Sequence, residues 1–518
     1  MKNIDELLGV AKLSELMSND KKDESKKVLW VLAIIGAVAA VAGIAALVYK
    51  YLSPDYLEDI DDDYDDDFDD DFFDEEEDEP EQEETEETEE TEKVEETEKA
   101  EEAKSETKEE KSGEVTTVTL WSFKAEDNDP TASSSRLKKL IDDFNASHED
   151  VQIEVSFGKS YDNVVTAIAS QDTPDIFDMY WQYASPLAAR GALYDLTEFV
   201  ENDAEFEKAD FLERVWDLCT VDGKIYSIPN LASSSFAIYN KNVLKEAGWD
   251  NFPTTFDDMI QCAKDCYDLE STSMGMNPLS PWLDNVLWPS MTEASWTDAD
   301  GNPVFDSEAM RLAYSAQKEL IEDQGGYAEA TGWEGDFGPA RGSVTDPILT
   351  GEVGFLLLPD SSIPSIYNAG VEAGYTYGED WGVAQVPGNS MFTAGVYEMN
   401  AKTKNPEAAW EVMSYLNSKD AMMYLAEGEK GVGALMPRKS ALDALMEKED
   451  VCDALKVAAG LLKEAKLQSF PMSGYVNEYL GAIGNNMTDY MEGLIDMDTA
   501  VSNIQTEVQA AADAFNGK

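Results

Sequence analysis

At 518 residues the chain is too long for one hydrophobic core, so at least two domains are expected. Its net charge of −69 arises from 107 acids against 38 Lys and Arg, without a basic patch, which argues against a nucleic-acid partner because phosphate binding needs clustered cations. A single histidine, His148, leaves almost no material for imidazole acid–base chemistry.

Residues 1–27 are polar and mixed in charge. Residues 28–49 (VLWVLAIIGAVAAVAGIAALVY) then run without a charge, long enough for a helix to cross a hydrocarbon layer of about 30 Å. The length and late start of this run favour an uncleaved transmembrane helix over a signal peptide, and no cysteine follows closely to take a lipid. Six lysines precede the run (Lys2, Lys12, Lys21, Lys22, Lys26, Lys27) and Lys50 alone lies just beyond it. The positive-inside bias therefore places 1–27 in the cytoplasm and the remainder outside the cell.

Residues 50–114 read as a disordered acidic linker. Between 55 and 112 stand 34 acids and five lysines, a composition that cannot bury enough apolar surface to fold and that repels itself. Stretched out, it would reach on the order of 200 Å. A cation-binding role would need ligands at ordered spacing, and the Asp runs have none, so a spacer is expected.

From 115 the composition becomes globular. Residues 115–121 alternate as a strand, 134–147 carry helical spacing at Leu137, Leu140, Ile141 and Phe144 behind a serine suited to cap the helix, and 151–157 alternate again. This βαβ opening implies a largely parallel sheet covered by helices. Helices are expected at 161–170, 184–193, 408–416 and 500–515, and strands at 175–179 and 354–358. Cys262 and Cys266 lie four apart in an expected helix with no second Cys/His pair nearby, so they read as buried thiols, and the four cysteines as no disulfide framework.

Several segments occur in an order that resembles the extracellular solute-binding proteins of ABC importers, in the branch that includes maltose-binding protein. They are VTLWSF (118–123), DTPDIFDMYWQYASPLAARGALYDLTEFV (172–200), DGKIYSIPNLASSSFAIYNKNVLKEAGW (222–249), FPTTFDDMIQCAKDC (252–266), TGEVGFLLLPDSSIPSI (350–366) and WGVAQVPGN with TAGVYEMNAKTKNPEAAWEVMSYLNS (381–418). The resemblance covers roughly 115–518. It implies an α/β fold of two lobes with a hinge and an interlobe cleft: lobe 1 about 115–235 and 386–432, lobe 2 about 236–385 and 433–518. Crossings are expected near 231–240, 384–387 and 431–436. Gly223 and Gly248 are expected at positive φ, and Pro253-Thr254 at a helix start.

A sugar needs aromatic platforms and side chains that both donate and accept. Trp121, Tyr180, Trp181 and Gln182 fall at expected strand ends of the first lobe, the mouth of an open α/β sheet. In the second lobe, Ser361 and Ser362 stand at an expected helix start, Trp333 and Asp336 in a Gly-rich loop, TGWEGDFG. By the resemblance, Trp282 occupies the segment that carries a stacking aromatic, and Tyr475 the stretch that supplies a late one. Tyr183, Trp216, Trp249, Trp381 and Trp410 read as packing residues.

The resemblance implies a carbohydrate ligand, permease subunits as partners, and neither cofactor, metal nor catalytic residues. Lys124, Glu126 and Asp127 stand where family sugar binders often place charged residues, and the identity of the sugar stays open. Alternatives are a sensor or adhesion module of the same fold, or a receptor for a polyamine or peptide. An enzyme is disfavoured, for the chain has no Gly-x-Ser-x-Gly elbow, His-Glu-x-x-His or P-loop, although acids are abundant.

Overall fold

The computed structural model describes residues 115–516 apart from 131, 280–283, 300 and 427–434. The expected cytoplasmic segment, membrane helix and acidic linker lie outside these residues, among which no helix is long and apolar enough to cross a membrane.

The first described strand is β1 (Thr116–Ser122), whose alternation buries Val118 and Leu120. The helix Ser133–Ser147 covers it with Leu137, Leu140, Ile141 and Phe144. The cap position is Ala132, without a side-chain acceptor, and Ser134 instead accepts from the Asp127 amide at 3.1 Å, so the expected serine cap serves the preceding loop. β2 (Val151–Ser156) and β3 (Ile176–Tyr180) flank β1 and run parallel to it. The helix Tyr161–Ser170 between them begins with a Ser160–Asn163 capping box. The next helix, Ala184–Ala189, is shorter than expected, because Gly191 turns the chain at φ 67° and frees Leu193 to bridge to Asn400.

A two-stranded ribbon follows, β4 (Thr220–Val221) with β5 (Lys224–Ile225), turned at Gly223 (φ 78°). The 14-residue strand β6 (Ser227–Asn240) then runs to the helix Lys241–Glu246, past which Gly248 lies at φ 94°. The helix Phe256–Tyr267 is capped by Thr255, whose hydroxyl accepts from the Asp258 amide at 3.2 Å, and it buries Cys262 and Cys266 as core thiols. β7 (Met274–Met276), β8 (Val353–Pro359) and β9 (Trp381–Gln385) form a second group, and β10 (Ser390–Met399) with β11 (Leu467–Gln468) completes the set.

Apart from the β4–β5 ribbon, the nine other described strands form one sheet in the order β2-β1-β3-β10-β6-β8-β7, with β11 on β10 and β9 on β6. It is mixed rather than largely parallel: β10 is antiparallel to β3 and β6, and β6 to β8 and β9. The cause is the long pass β6, which belongs to two groups. Residues 227–234 pair with β10, whereas 235–240 pair with β8 and β9, so the partners change between Ser234 and Ser235.

Two glycines shape this region. The β6–β10 register shifts between Gly395 and Val396, opposite Pro229, which has no N–H to give the ladder. A Cβ on Gly395 would lie 2.4 Å from Asn230 Oδ1. At Gly388 (φ 71°), on the pass from β9 to β10, a Cβ would lie 2.1 Å from the Met291 carbonyl oxygen. Neither position has room for a side chain.

These registers bring the strand ends together. The C-terminal end of β3, Tyr180, pairs with Gly395, which pairs with Leu231, while the C-terminal end of β8, Pro359, pairs with Ser235. Both strand groups therefore end beside residues 231–235 of β6.

Candidate functional site

On the β3 side the strand ends enclose a buried carboxylate. Asp178 is fully buried. It accepts from the Ser122 hydroxyl at 2.5 Å, Lys124 Nζ at 2.6 Å and Asn230 Nδ2 at 2.9 Å. Lys124, Asn230 and Tyr397 help line a small cavity of about 50 Å³ beside Leu435. Glu398, next along β10, is also fully buried, yet neither of its oxygens has a hydrogen-bond partner. Burial, reinforced by the Asp178 charge, pushes its carboxyl up to about 8.

Around this polar centre stand the aromatics. Tyr180 is 44% exposed, its ring 4.2 Å from Phe123, and Lys124 Nζ lies 4.6 Å from the Phe123 centroid. Trp121 is half-buried with Lys159 Nζ 4.6 Å from its ring centroid, and Gln182 is half-buried in the turn Trp181–Tyr183. Trp121 and Tyr180 stand toward the C-terminal ends of the neighbouring strands β1 and β3, and Gln182 in the turn that follows β3. Tyr183 stacks on Tyr161 at 4.2 Å.

Trp181 is 3% exposed and packs toward Phe470, its ring centroid 6.4 Å away. Trp333 is buried as well, its indole donating to Ser273 Oγ at 3.0 Å and its ring stacking on Phe337 at 5.0 Å. Tyr475 is buried at the start of the helix Val476–Glu492. All three rings are packed in the structure. Trp282 lies outside the described residues.

The expected Gly-rich loop is a helix, Tyr327–Phe337. Ala330, Trp333 and Phe337 recur at helical spacing and hold it on the core, which outweighs the two glycines, while Asp336 is exposed. The residue this region turns toward the β7 end is Glu334: Asn277 donates to it at 3.1 Å, and Arg341 donates to the same oxygen. Burial raises its carboxyl, opposed by Arg341 and Asn277. Sequence reading passed over Glu334, although the 330/333/337 spacing marked the helix.

Beyond β8, Ser361 is exposed and Ser362 half-buried in the turn Asp360–Ser362 that opens the helix Ile363–Ala373. Asp360 before them is fully buried and had not been singled out, despite the helix-start signal of Asp before Ser-Ser. It accepts from the Ser233 hydroxyl, from the Ser234 amide at 3.2 Å and from the Leu435 amide at 2.6 Å. Burial pushes it up to about 7, against these hydrogen bonds.

A groove of about 860 Å³ lies at the other end of β3 and β10, lined by Tyr194, Asp195, Phe199, Asp203 and Trp410 among others. Two of its carboxylates are engaged, Asp195 with Lys224 at 2.8 Å and Asp203 with Trp410 Nε1 at 2.8 Å. The exposed ring of Tyr180 stands at the convergence of strand ends and not in this groove.

The profile of the bacterial extracellular solute-binding proteins matches residues 128–423. The chain belongs to this family. Among curated relatives, the arabinooligosaccharide-binding protein of Bacillus subtilis is 23% identical over 224 residues, covering 41% of this chain and 49% of that protein. A binding protein of Brucella abortus is 25% identical over 225 residues, covering 41% of this chain and 51% of the relative. The chain thus spans about half the length of the curated relatives it matches. Among solved structures, the sugar-binding protein MalE from Xanthomonas citri superposes with a TM-score of 0.65 at 18% identity, covering 78% of this chain and 98% of that one. A substrate-binding protein from Listeria monocytogenes in complex with cycloalternan gives 0.59 at 18%, covering 77% and 99%. At such identities the likeness speaks for the two-lobed fold.

Proposed function

We propose that this chain is the membrane-anchored extracellular receptor of an ABC importer, and that it binds a mono- or oligosaccharide between its lobes. The observation that carries the reading is the rim at the first-lobe strand ends. Tyr180 presents an exposed ring against Phe123, two residues along β3 from Asp178, which gathers Ser122, Lys124 and Asn230. An exposed ring beside donors and acceptors matches a sugar, which has an apolar C–H face and a hydroxyl rim. The turn with Ser361 and Ser362 faces the same part of β6 from the second lobe, and Trp282 belongs to the proposed site by the resemblance. Gln182 is assigned to the first-lobe rim. Trp181, Trp333 and Tyr475 act behind the surface.

The change of β6 partners at Ser234/Ser235 supports a boundary between lobe 1 (115–235, 386–432) and lobe 2 (236–385, 433–518). Closure of the lobes over the ligand would shield it from water and present a new outer shape to a permease. Residues 28–49 serve as the membrane anchor, and the acidic linker sets the receptor away from the bilayer. The names of the relatives, binders of arabinooligosaccharide and of sugar, fit this ligand class.

The test is a thermal-shift and intrinsic-fluorescence screen of the full chain against a panel of mono- and oligosaccharides, with polyamines and peptides alongside. Saturable binding of at least one sugar is expected. A response confined to polyamines or peptides would end the sugar assignment. Deletion of the protein should abolish uptake of the bound sugar, and unchanged uptake would leave a sensor.

A further inference from the structure

The helix Met497–Phe515 packs on the helix Val476–Glu492, and its buried face carries the stripe Val501, Ile504, Val508 and Ala512. Phe515 is next on that stripe by helical spacing, yet it is 48% exposed. Among the described residues one other aromatic ring is exposed, that of Tyr180 at 44%. A ring left half in water gains only part of what burial gives, so core packing does not account for it.

A glycine seats this ring. A Cβ on Gly474 would lie 2.0 Å from Phe515 Cε2 and 2.2 Å from its Cζ, so the ring rests against bare backbone. Tyr475, the next residue, is buried beside it with the ring centroids 6.3 Å apart. The late aromatic expected at Tyr475 is therefore packed, and the ring that reaches water at this place belongs to Phe515.

The segment that seats Phe515 also reaches the first-lobe strand ends. The Phe470 centroid lies 6.4 Å from that of Trp181, which directly follows Tyr180. Met472 packs on the apolar group of Phe177 and Met179, against which Trp121, Phe123 and Tyr183 also pack. Gly474 is four positions on from Phe470, at most about 14 Å of extended chain. One short stretch thus runs from the neighbour of one exposed ring to the seat of the other.

We propose that Phe515 is a ligand platform of the second lobe: seated on Gly474, its ring stacks on the C–H face of one sugar unit while Tyr180 takes another, so the ligand is an oligosaccharide and not a single sugar. This rests on the carbohydrate-receptor reading and narrows it. A ring stacks on an apolar face without choosing among hydroxyl patterns, so the pair of platforms selects for length.

Titration calorimetry of the full-length chain in detergent tests this with the mono- and oligosaccharides that bind in the screen, glucose against maltotriose and arabinose against arabinotriose first. Affinity of the wild type should climb with length. Phe515→Ala should raise the Kd of the longer sugar about five- to thirtyfold, the worth of one stacked ring, and leave that of the single sugar unchanged. Phe515→Tyr keeps a ring and should restore affinity. Gly474→Ala displaces the ring without deleting it and should raise the same Kd. Urea midpoints should move little in Phe515→Ala, since the ring is exposed. A wild type that binds single sugars as tightly as longer ones overturns the proposal. So does a Kd for the longer sugar that is unmoved in Phe515→Ala, with or without loss of uptake, or one raised equally for both lengths. Each of these leaves the receptor reading standing. A wild type that binds no sugar of the panel removes that reading, and the platform with it.

Discussion

Two fully buried aspartates, one on each side of the β6 crossover, meet burial in different ways. Asp178 has a cation, Lys124 Nζ at 2.6 Å, together with a hydroxyl and an amide. Asp360 has a hydroxyl and two backbone amides but, among the described residues, no cation hydrogen-bonded to it, and burial lifts it to about 7. A third carboxyl, Glu398, has no donor and is pushed up to about 8. The series orders these groups by what is left to balance lost hydration. The β3 side pairs its buried carboxyl with a cation, whereas the β8 side holds one by a hydroxyl and two backbone amides.

The sharpest way to break this contrast is to take away the cation. Lys124→Met leaves the buried Asp178 without its cation, held by a hydroxyl and an amide alone, and breaking a buried pair from one side costs about 3–5 kcal/mol. Urea unfolding at neutral pH should show a loss of that size, and Asp178→Asn added to it should recover part. A loss below about 1 kcal/mol, the value of an exposed pair, would mean that water reaches Asp178 after all.

Next in size comes Glu398. Its folded-state value lies above its unfolded one, so the stability it contributes is complete below about 4.5 and is lost as pH rises through about 8. Wild type should therefore weaken relative to Glu398→Gln between pH 6 and 9, by about 2–3 kcal/mol for a group that releases its proton across that window. Urea midpoints of the two proteins at both pH values give the difference, in which all other titrating groups cancel. Parallel pH profiles would show that Glu398 finds a donor.

How much of this was legible beforehand divides along the same line. Local pattern sufficed for β1, the helix Ser133–Ser147, β2 and the helix Tyr161–Ser170, because their apolar period is read within a few residues. Strand direction was not local: β10 returns antiparallel to β3 from more than 200 residues away, and nothing near either strand says so. The webs were equally hidden. Asp178 meets Lys124 across 54 positions and Asn230 across 52, and Asp360 meets Ser233 across 127. The rim residues Trp121 and Tyr180 could be chosen because strand ends are visible in sequence, whereas Trp181, one step on, faces the core because the turn Trp181–Tyr183 rotates it inward. In the helix Tyr327–Phe337, two glycines hid an apolar spacing that decides the structure.

Tyr180 and Trp181 sharpen the comparison within two adjacent residues. Tyr180→Ala removes an exposed ring, so stability should stay within about 0.5 kcal/mol. Sugar affinity should fall by about 1–2 kcal/mol, the worth of an aromatic platform with part of its buried area. Trp181→Ala should do the reverse in kind, lowering the unfolding midpoint through a core cavity and changing affinity only as the fold loosens. Titration calorimetry and urea unfolding on both variants separate the two roles, and a Tyr180→Ala protein with undiminished affinity would remove the rim from the site.

The smallest effect is expected at the turn across the cleft. Ser361 is exposed and Ser362 half-buried, while their neighbour Asp360 is fully buried. Replacing the Ser361 hydroxyl disturbs no buried polar group, so unfolding should not register it. A hydroxyl that meets a sugar only when the lobes close contributes one neutral hydrogen bond, about 0.5–1.5 kcal/mol, or roughly a two- to tenfold rise in Kd. The effect should appear in the dissociation rate, since contacts completed by closure act after encounter. Stopped-flow release of bound sugar from Ser361→Ala measures it. If release is unchanged while Tyr180→Ala releases faster, the turn beyond β8 takes no part in holding the guest.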